Sequence, residues 1–269
     1  MQYIFGFSST PKNQSGRNFY KQSYVLGRDM GQICIGGQRN TILVMLSGKG
    51  CSFATEGWER RLYTFLTNIA KRAKLTRIDL AHDDFTGEHI SVDWAEEQDN
   101  NSIKGTGFQN GARKPNVEHK GNWKRPNGRG RTLNIGSRES GMYVRVYEKG
   151  RAEGDPEDNW QRAEVEFKAS DRILPFDMLL APSEYFMGSY PCFAQLKNDL
   201  QPAKIEALKK NASITMKAAL CTIKHQYGKY ITFFSKIFED AELIQLISHS
   251  DPLAFPKRMD SAILTAMRM

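Results

Sequence analysis

At 269 residues, with 40% apolar and 25% charged residues, the chain is long enough for one sizeable core or two modest ones and is too apolar for wholesale disorder. No apolar run approaches the length of a membrane span, which excludes an integral helical membrane protein. Thirty-eight Lys and Arg against 30 Asp and Glu leave a net charge of +8, an excess that points first to a polyanionic partner.

Met1 to Phe5 carry neither the basic leader nor the long apolar segment of a secretory signal. The four cysteines (Cys34, Cys51, Cys192 and Cys221) lie far apart, without metal-ligand pairs or a disulfide framework, so reduced thiols and a cytoplasmic location are expected. Short apolar runs then alternate with glycines. Tyr20 to Leu26, Gln32 to Ile35 and Thr41 to Leu46 read as strands of an antiparallel meander. Trp58, Leu62, Phe65, Ile69 and Ala73 recur at helical spacing. Thr76 to Asp84 alternates and reads as a strand, after which Ser91 caps a short helix through Val92 to Gln98. From Asp99 to Gly130 the pattern dissolves into a basic stretch, either a long ordered loop with a task or a mobile arm. Strands follow at Arg131 to Ile135, Tyr143 to Lys149 and Arg162 to Lys168, divided by glycine-marked turns. Helical periods run through Ile205, Leu208, Ala212, Met216, Ala219 and Ile223, and through Phe234, Ile237, Ala241 and Ile244. The expected architecture is α+β: a sheet-rich region over 1–200 and a helical region over 201–269.

Period two sorts the side chains. Arg77, Asp79, Ala81 and Asp83 share one face of their strand, opposite Ile78, Leu80 and His82. Tyr143, Arg145, Tyr147 and Lys149 share a face, opposite Val144, Val146 and Glu148; Arg162, Glu164, Glu166 and Lys168 oppose Ala163, Val165 and Phe167. If these strands are neighbours, Asp79, Glu164, Glu166, Tyr147 and Lys149 converge on one surface. Carboxylates without Cys or His form a hard oxygen site suited to Mg2+ or Mn2+, and a tyrosine beside it is a possible nucleophile. Alternation alone, however, favours a plain solvated sheet face carrying cross-strand pairs such as Arg77 with Glu164.

Lys120, Trp123, Lys124, Arg125, Arg129 and Arg131 mix cations with an aromatic ring, and Glu118 is the one acid near them, which suits a nucleic-acid backbone with a base to stack. Gly48-Lys49-Gly50 is too short for a phosphate loop. His82, His89 and His119 have no zinc spacing, and His82 reads as a half-buried, hydrogen-bonded side chain.

Taken together, TRIDLAHDDF at 76–85, GRTLNIGSR at 130–138, YVRVYEKG at 143–150, Trp160 with RAEVE at 162–166, and SYPCF at 189–193 resemble the replication initiation factors. These are the Rep_trans-type rolling-circle initiators of filamentous phages and small plasmids. The resemblance spans roughly Gly27 to Phe193 and implies a central antiparallel sheet related to the histidine-hydrophobe-histidine nucleases, with helices on one face and a helical C-terminal third. It also implies a nickase that binds double-stranded origin DNA, often as a homodimer. Such an enzyme uses a divalent metal and leaves a 5′-phosphotyrosyl link on the nicked single strand, with a 3′-hydroxyl that primes the polymerase; a host helicase is a further expected partner.

Carried over to this chain, the resemblance makes Tyr147 the nucleophile with Tyr143 in reserve. Asp79, Glu164, Glu166 and Asp83 become the metal ligands, and Lys149 and Arg145 hold the phosphate. Two departures stand beside it: no histidine-hydrophobe-histidine motif occurs, and many relatives carry another strand before Gly27; if that strand is missing here, the sheet edge or a metal ligand goes with it, and activity is in doubt while the fold survives. The competing readings are a non-catalytic origin-binding or regulatory protein of the same fold and, more remotely, a phage structural protein.

Overall fold

Short apolar runs broken by glycines fold back on one another at the start of the computed structural model, which describes residues 1–11, 16–37, 40–196 and 216–251. After α1 (Gln2–Phe5), β1 (Ser9–Pro11), β2 (Gln22–Leu26), β3 (Gly31–Ile35) and β4 (Ile42–Leu46) pair antiparallel in sequence order. β1 is additional to the expected strands. This four-stranded sheet is separate from the central one rather than a part of it. In α2 (Gly48–Phe53), a Cβ on Gly50 would fall 1.9 Å from the Met30 carbonyl oxygen. That glycine is there for close backbone approach. Ser47 caps the helix, accepting from the Gly50 N–H at 3.0 Å. α3 (Trp58–Asn68) stops short of Ala73 and is tied to the N-terminus by Arg61, whose Nε donates to the Ile4 carbonyl at 3.0 Å.

The second sheet carries the site. β5 (Arg77–Asp84) is followed by α4 (Val92–Asn100), whose cap is Ser91 as expected, accepting from the Trp94 N–H at 3.0 Å. β6 (Val117–Lys120) lies inside the stretch that showed no pattern, and β7 (Thr132–Gly136) begins one residue after Arg131. β8 (Met142–Glu148) ends before Lys149, which opens the short α5 (Lys149–Ala152); β9 (Gln161–Lys168) returns. The five strands are antiparallel in the order β5-β9-β8-β7-β6. α6 (Pro182–Met187) follows within the same compact unit, Met1–Leu208.

One face of this sheet is apolar. Leu80, Val165, Val144, Val146, Leu133 and Ile135 pack there against α4, α6 and Phe193, so helices cover a single face and the fold is α+β. Phe193 is fully buried, with Phe186, Phe108 and Trp94 at ring-centroid distances of 4.6, 5.5 and 6.1 Å. His82 faces this layer and stacks on Phe186 at 5.8 Å.

At the end of β5 the buried Asp84 carboxylate accepts from the Thr86 N–H and hydroxyl and from the Gly87, His89 and Ile90 N–H groups, at 2.7 to 3.2 Å. Burial pushes this carboxyl up, but those donors outweigh it and hold it at about 2. The folded-state value lies below the unfolded one, so the carboxylate's contribution is complete above the ordinary range near 3.8 and is lost as pH falls toward 2. Asp84→Asn is expected to lower stability near neutral pH and to flatten its decline between pH 4 and 2, as read by urea melts across pH. An unchanged decline would contradict this role.

In the second unit, Lys209–Met269, the described residues form α7 (Met216–Phe234) and α8 (Asp240–Ile247). Phe234 to Ile244 is therefore not one helix, because Asp240 and Glu242 favour a new N-terminus there. Ile205, Leu208 and Ala212 lie outside the described residues.

Candidate functional site on the polar face of the central sheet

Register places the charged positions in rows. Asp79 lies opposite Glu166, which lies opposite Tyr143. In the next row Ala81, Glu164, Arg145 and Asn134 are in line, and in the third Asp83, Arg162, Tyr147 and Thr132. The neighbours that alternation required are present, and the face brings together Asp79, Asp83, Glu164, Glu166, Tyr143, Tyr147 and Arg145.

In the first row one guanidinium serves two carboxylates. Arg77 Nη2 lies 2.5 Å from Asp79 Oδ2 and 2.8 Å from Glu166 Oε2, and its Nε donates to Asp79 Oδ1 at 2.7 Å. Arg77 thus pairs with Asp79 and Glu166 and not with Glu164, since its cross-strand neighbour is Lys168. Lys168 Nζ lies 2.7 Å from Glu166 Oε1. Glu166 is 1% exposed, and Arg77 approaches its Oε2 off the hydrogen-bonding direction, so that buried oxygen has an ion pair but no hydrogen bond. The Tyr143 hydroxyl across from it is buried and also without a partner, and the Arg138 guanidinium lies 5.1 Å from the Tyr143 ring.

The middle row pairs Arg145 Nη2 with Glu164 Oε1 at 2.9 Å. In the third, Arg162 grips Asp83 with two bonds of 2.7 and 2.8 Å, and Trp160 Nε1 donates to Asp83 Oδ1 at 2.6 Å. Burial alone would raise the Asp83 carboxyl, but these donors hold it below the usual carboxylate range. Arg162 is held more strongly protonated by its hydrogen bonds to Asp83 first, with a smaller contribution from the Tyr147 hydroxyl against it. Tyr147 is half-buried, unlike Tyr143. Lys149 sits past the strand end, paired with Glu153, with its ammonium 5.4 Å from the Trp160 ring. The strand stops there because Gly150, where a Cβ would strike Asp158, turns the chain away.

Among the described residues no three His, Cys, Asp or Glu side chains are arranged to enclose a metal ion. The four acids of the face are each matched by a cation, and Asp83 is committed to Arg162 and Trp160.

The basic stretch divides in two. Arg131 forks onto Asp93 at 2.7 and 2.8 Å and reaches the buried Glu148 at 3.0 Å, so its guanidinium is spent inside the protein and is held even more strongly protonated, through Asp93 first. Trp123 donates its Nε1 to the Lys120 carbonyl at 3.0 Å, meets His119 edge-on at 4.4 Å and lies under Arg131, an arrangement for packing. Lys120 lies 3.5 Å from Glu118. Lys124, Arg125 and Arg129 are exposed. Neutralising these three is expected to weaken duplex binding and to reduce the slope of log K against log salt by about 2 to 3. An unchanged slope would remove the loop from the interface.

Sequence reasoning missed Arg77 as the cation shared by Asp79 and Glu166, Arg162 as the neighbour of Tyr147, and Asp84. Charge at alternate strand positions was the available signal for the first two; nothing distinguished Asp84 from Asp83.

A family model described as replication initiation factor matches residues 73–247, well over half of the chain. A solved structure of a rolling circle replication initiator protein from Geobacillus stearothermophilus superposes with a TM-score of 0.54 at 20% identity, covering 77% of this chain and 88% of that one. This is a likeness of fold. No curated protein matches the sequence. Among the described residues no helix is long and apolar enough to cross a membrane.

Proposed function

We propose that this chain, which belongs to the replication initiation factor family, starts rolling-circle replication by nicking one strand of its origin with Tyr147. The observation that carries the reading is the single polar face on which a half-buried tyrosine and its arginine share a sheet with an acid-rich row. On this reading the scissile phosphate lies over Arg145 and Glu164, between the Asp79–Glu166 pair and Tyr147. The Tyr147 oxygen attacks phosphorus, the bond to the 3′ oxygen breaks, and a 5′-phosphotyrosyl link and a 3′-hydroxyl result. The phenol gives up one proton and the departing oxygen takes one, so the step balances. Arg162, against the Tyr147 hydroxyl, favours the negative charge that grows on that oxygen.

The first row suits a divalent cation such as Mg2+ or Mn2+. Its donors are hard carboxylate oxygens, one buried oxygen lacks a hydrogen bond, and a cationic guanidinium already lies between Asp79 and Glu166. Arg77, half exposed, would have to withdraw; Asp79 and Glu166 would then hold the ion, with Glu164 next along β9. Bound there, a divalent cation would polarise a phosphate oxygen. Because a phosphotyrosyl ester conserves the energy of the broken bond, the strand can be rejoined without ATP.

Incubation with labelled supercoiled origin plasmid and Mg2+ or Mn2+, followed by a denaturing gel, tests the reading. A metal-dependent protein–DNA adduct is expected. Specific binding with neither nick nor adduct would favour a non-catalytic origin-binding protein.

A further inference from the structure

An aromatic pair borders the polar face where the strands of its third row end. Two residues after Asp83 comes Phe85, two before Arg162 comes Trp160, and two after Tyr147 comes Lys149. None of the three lies in a strand, since β5 ends at Asp84, β8 at Glu148 and β9 begins at Gln161, so contacts place them: Trp160 Nε1 sits on Asp83 of the third row, and Lys149 and Arg162 lie against its ring. The Phe85 and Trp160 rings meet at 5.3 Å and 33°.

Trp160 is fixed from several sides. Its Nε1 donates to Asp83 at 2.6 Å, its backbone N–H donates to Asp158 at 2.8 Å, and Lys149 and Arg162 each lie 5.4 Å from its ring. Phe85 is 68% exposed. This exposure does not come from a slack loop: Asp84 gathers the chain over the next six residues with four hydrogen bonds from backbone N–H groups and a fifth from the Thr86 hydroxyl, and Gly87 takes the left-handed conformation (φ 71°) that the tight turn requires. An aromatic ring is therefore held out to solvent, in a set position, linked through Trp160, Asp83 and Arg162 to the row that carries the proposed nucleophile. Its ring neighbour is Trp160, which carries two cations against its own ring, and single-strand binding sites combine aromatic rings with cations to take a base on the ring and phosphates on the charges.

We infer that Phe85, backed by Trp160, is a stacking wall for an unpaired DNA base next to the phosphate that Tyr147 attacks, an assignment that rests on the nicking reading. Because every base has a flat face, the wall tolerates any sequence, and it acts by positioning the strand.

The test uses the full chain and a fluorescent polythymidine oligonucleotide, with Phe85→Ala, Phe85→Leu and Phe85→Trp compared by anisotropy titration. Loss of one stacked base should weaken binding roughly 5- to 100-fold in Phe85→Ala. Phe85→Leu, apolar but without a ring face, should fall nearly as far, and Phe85→Trp should bind at least as well as the parent. The salt slope should be the same in all four, since no charge changes. Phe85→Leu or Phe85→Ala binding within about twofold of the parent would overturn the wall, as would a parent chain that binds no single strand. The plasmid assay separates the two readings. An adduct with Phe85-independent binding removes only the wall; Phe85-dependent binding without any adduct leaves a single-strand stacking wall but removes the nickase, and with it the placement beside an attacked phosphate.

Discussion

Tyr147→Phe is expected to lower covalent attachment to origin DNA by at least about a thousandfold, because it deletes the attacking atom itself. Affinity for the origin should scarcely move, since the phosphate-driven part of binding depends on cations that the substitution leaves in place. Tyr143→Phe provides the contrast. Its hydroxyl is buried opposite Glu166 with no hydrogen-bond partner, so removing it takes away an unsatisfied polar group. Attachment should persist, and stability should stay level or rise by up to about 1 kcal/mol. Loss of the adduct in Tyr143→Phe with retention in Tyr147→Phe would move the nucleophile two rows along the face, to the carboxylate pair.

The second large effect is on stability and falls on a residue that composition alone assigns to DNA. Arg131→Met leaves Glu148, 4% exposed, with the partly exposed Arg151 as its remaining side-chain cation at 2.7 Å. Breaking a buried pair from one side is expected to cost on the order of 3 kcal/mol, which lowers the melting temperature by about 6 to 12 °C in a unit of this size. Adding Glu148→Gln should recover a good part of the loss. It discharges the buried group yet keeps an acceptor for the Arg131 backbone N–H, which now reaches Glu148 Oε2 at 2.6 Å. Below its melting temperature, Arg131→Met should bind DNA with the parent's salt slope. A normal melting temperature together with a reduced slope would return Arg131 to the interface.

These two residues also show what was legible in the sequence. Tyr147 could be placed on a face with acids because period two is a property of each strand by itself, and three apolar faces could only be buried together. What alternation cannot supply is register between distant strands. Arg77 lies opposite Lys168, and its guanidinium turns along the strand to Asp79 and across to Glu166, because the β5–β9 pairing is set by the 76 residues between them, 85–160, and not by a short turn. The partners of Arg131 are likewise remote, 38 residues away at Asp93 and 17 at Glu148, so a basic run could be seen without the acids that answer it. Lys149 continued the alternation in letters, but the chain leaves the sheet after Glu148. β6 was obscured because four residues on a sheet edge, mostly exposed, carry almost no hydrophobic pattern.

The central claim is that Tyr147 becomes the point of attachment. Trypsin separates the two tyrosines, since cleavage after Arg138, Arg145 and Lys149 puts Tyr143 in the peptide 139–145 and Tyr147 in the peptide 146–149. The most direct measurement is mass spectrometry of the adduct after nuclease trimming and tryptic digestion. The nucleotide mass should reside on Tyr147 in the peptide 146–149. Its appearance on the peptide containing Tyr143, or the absence of any phosphotyrosyl peptide from DNA that has been nicked, would contradict the account.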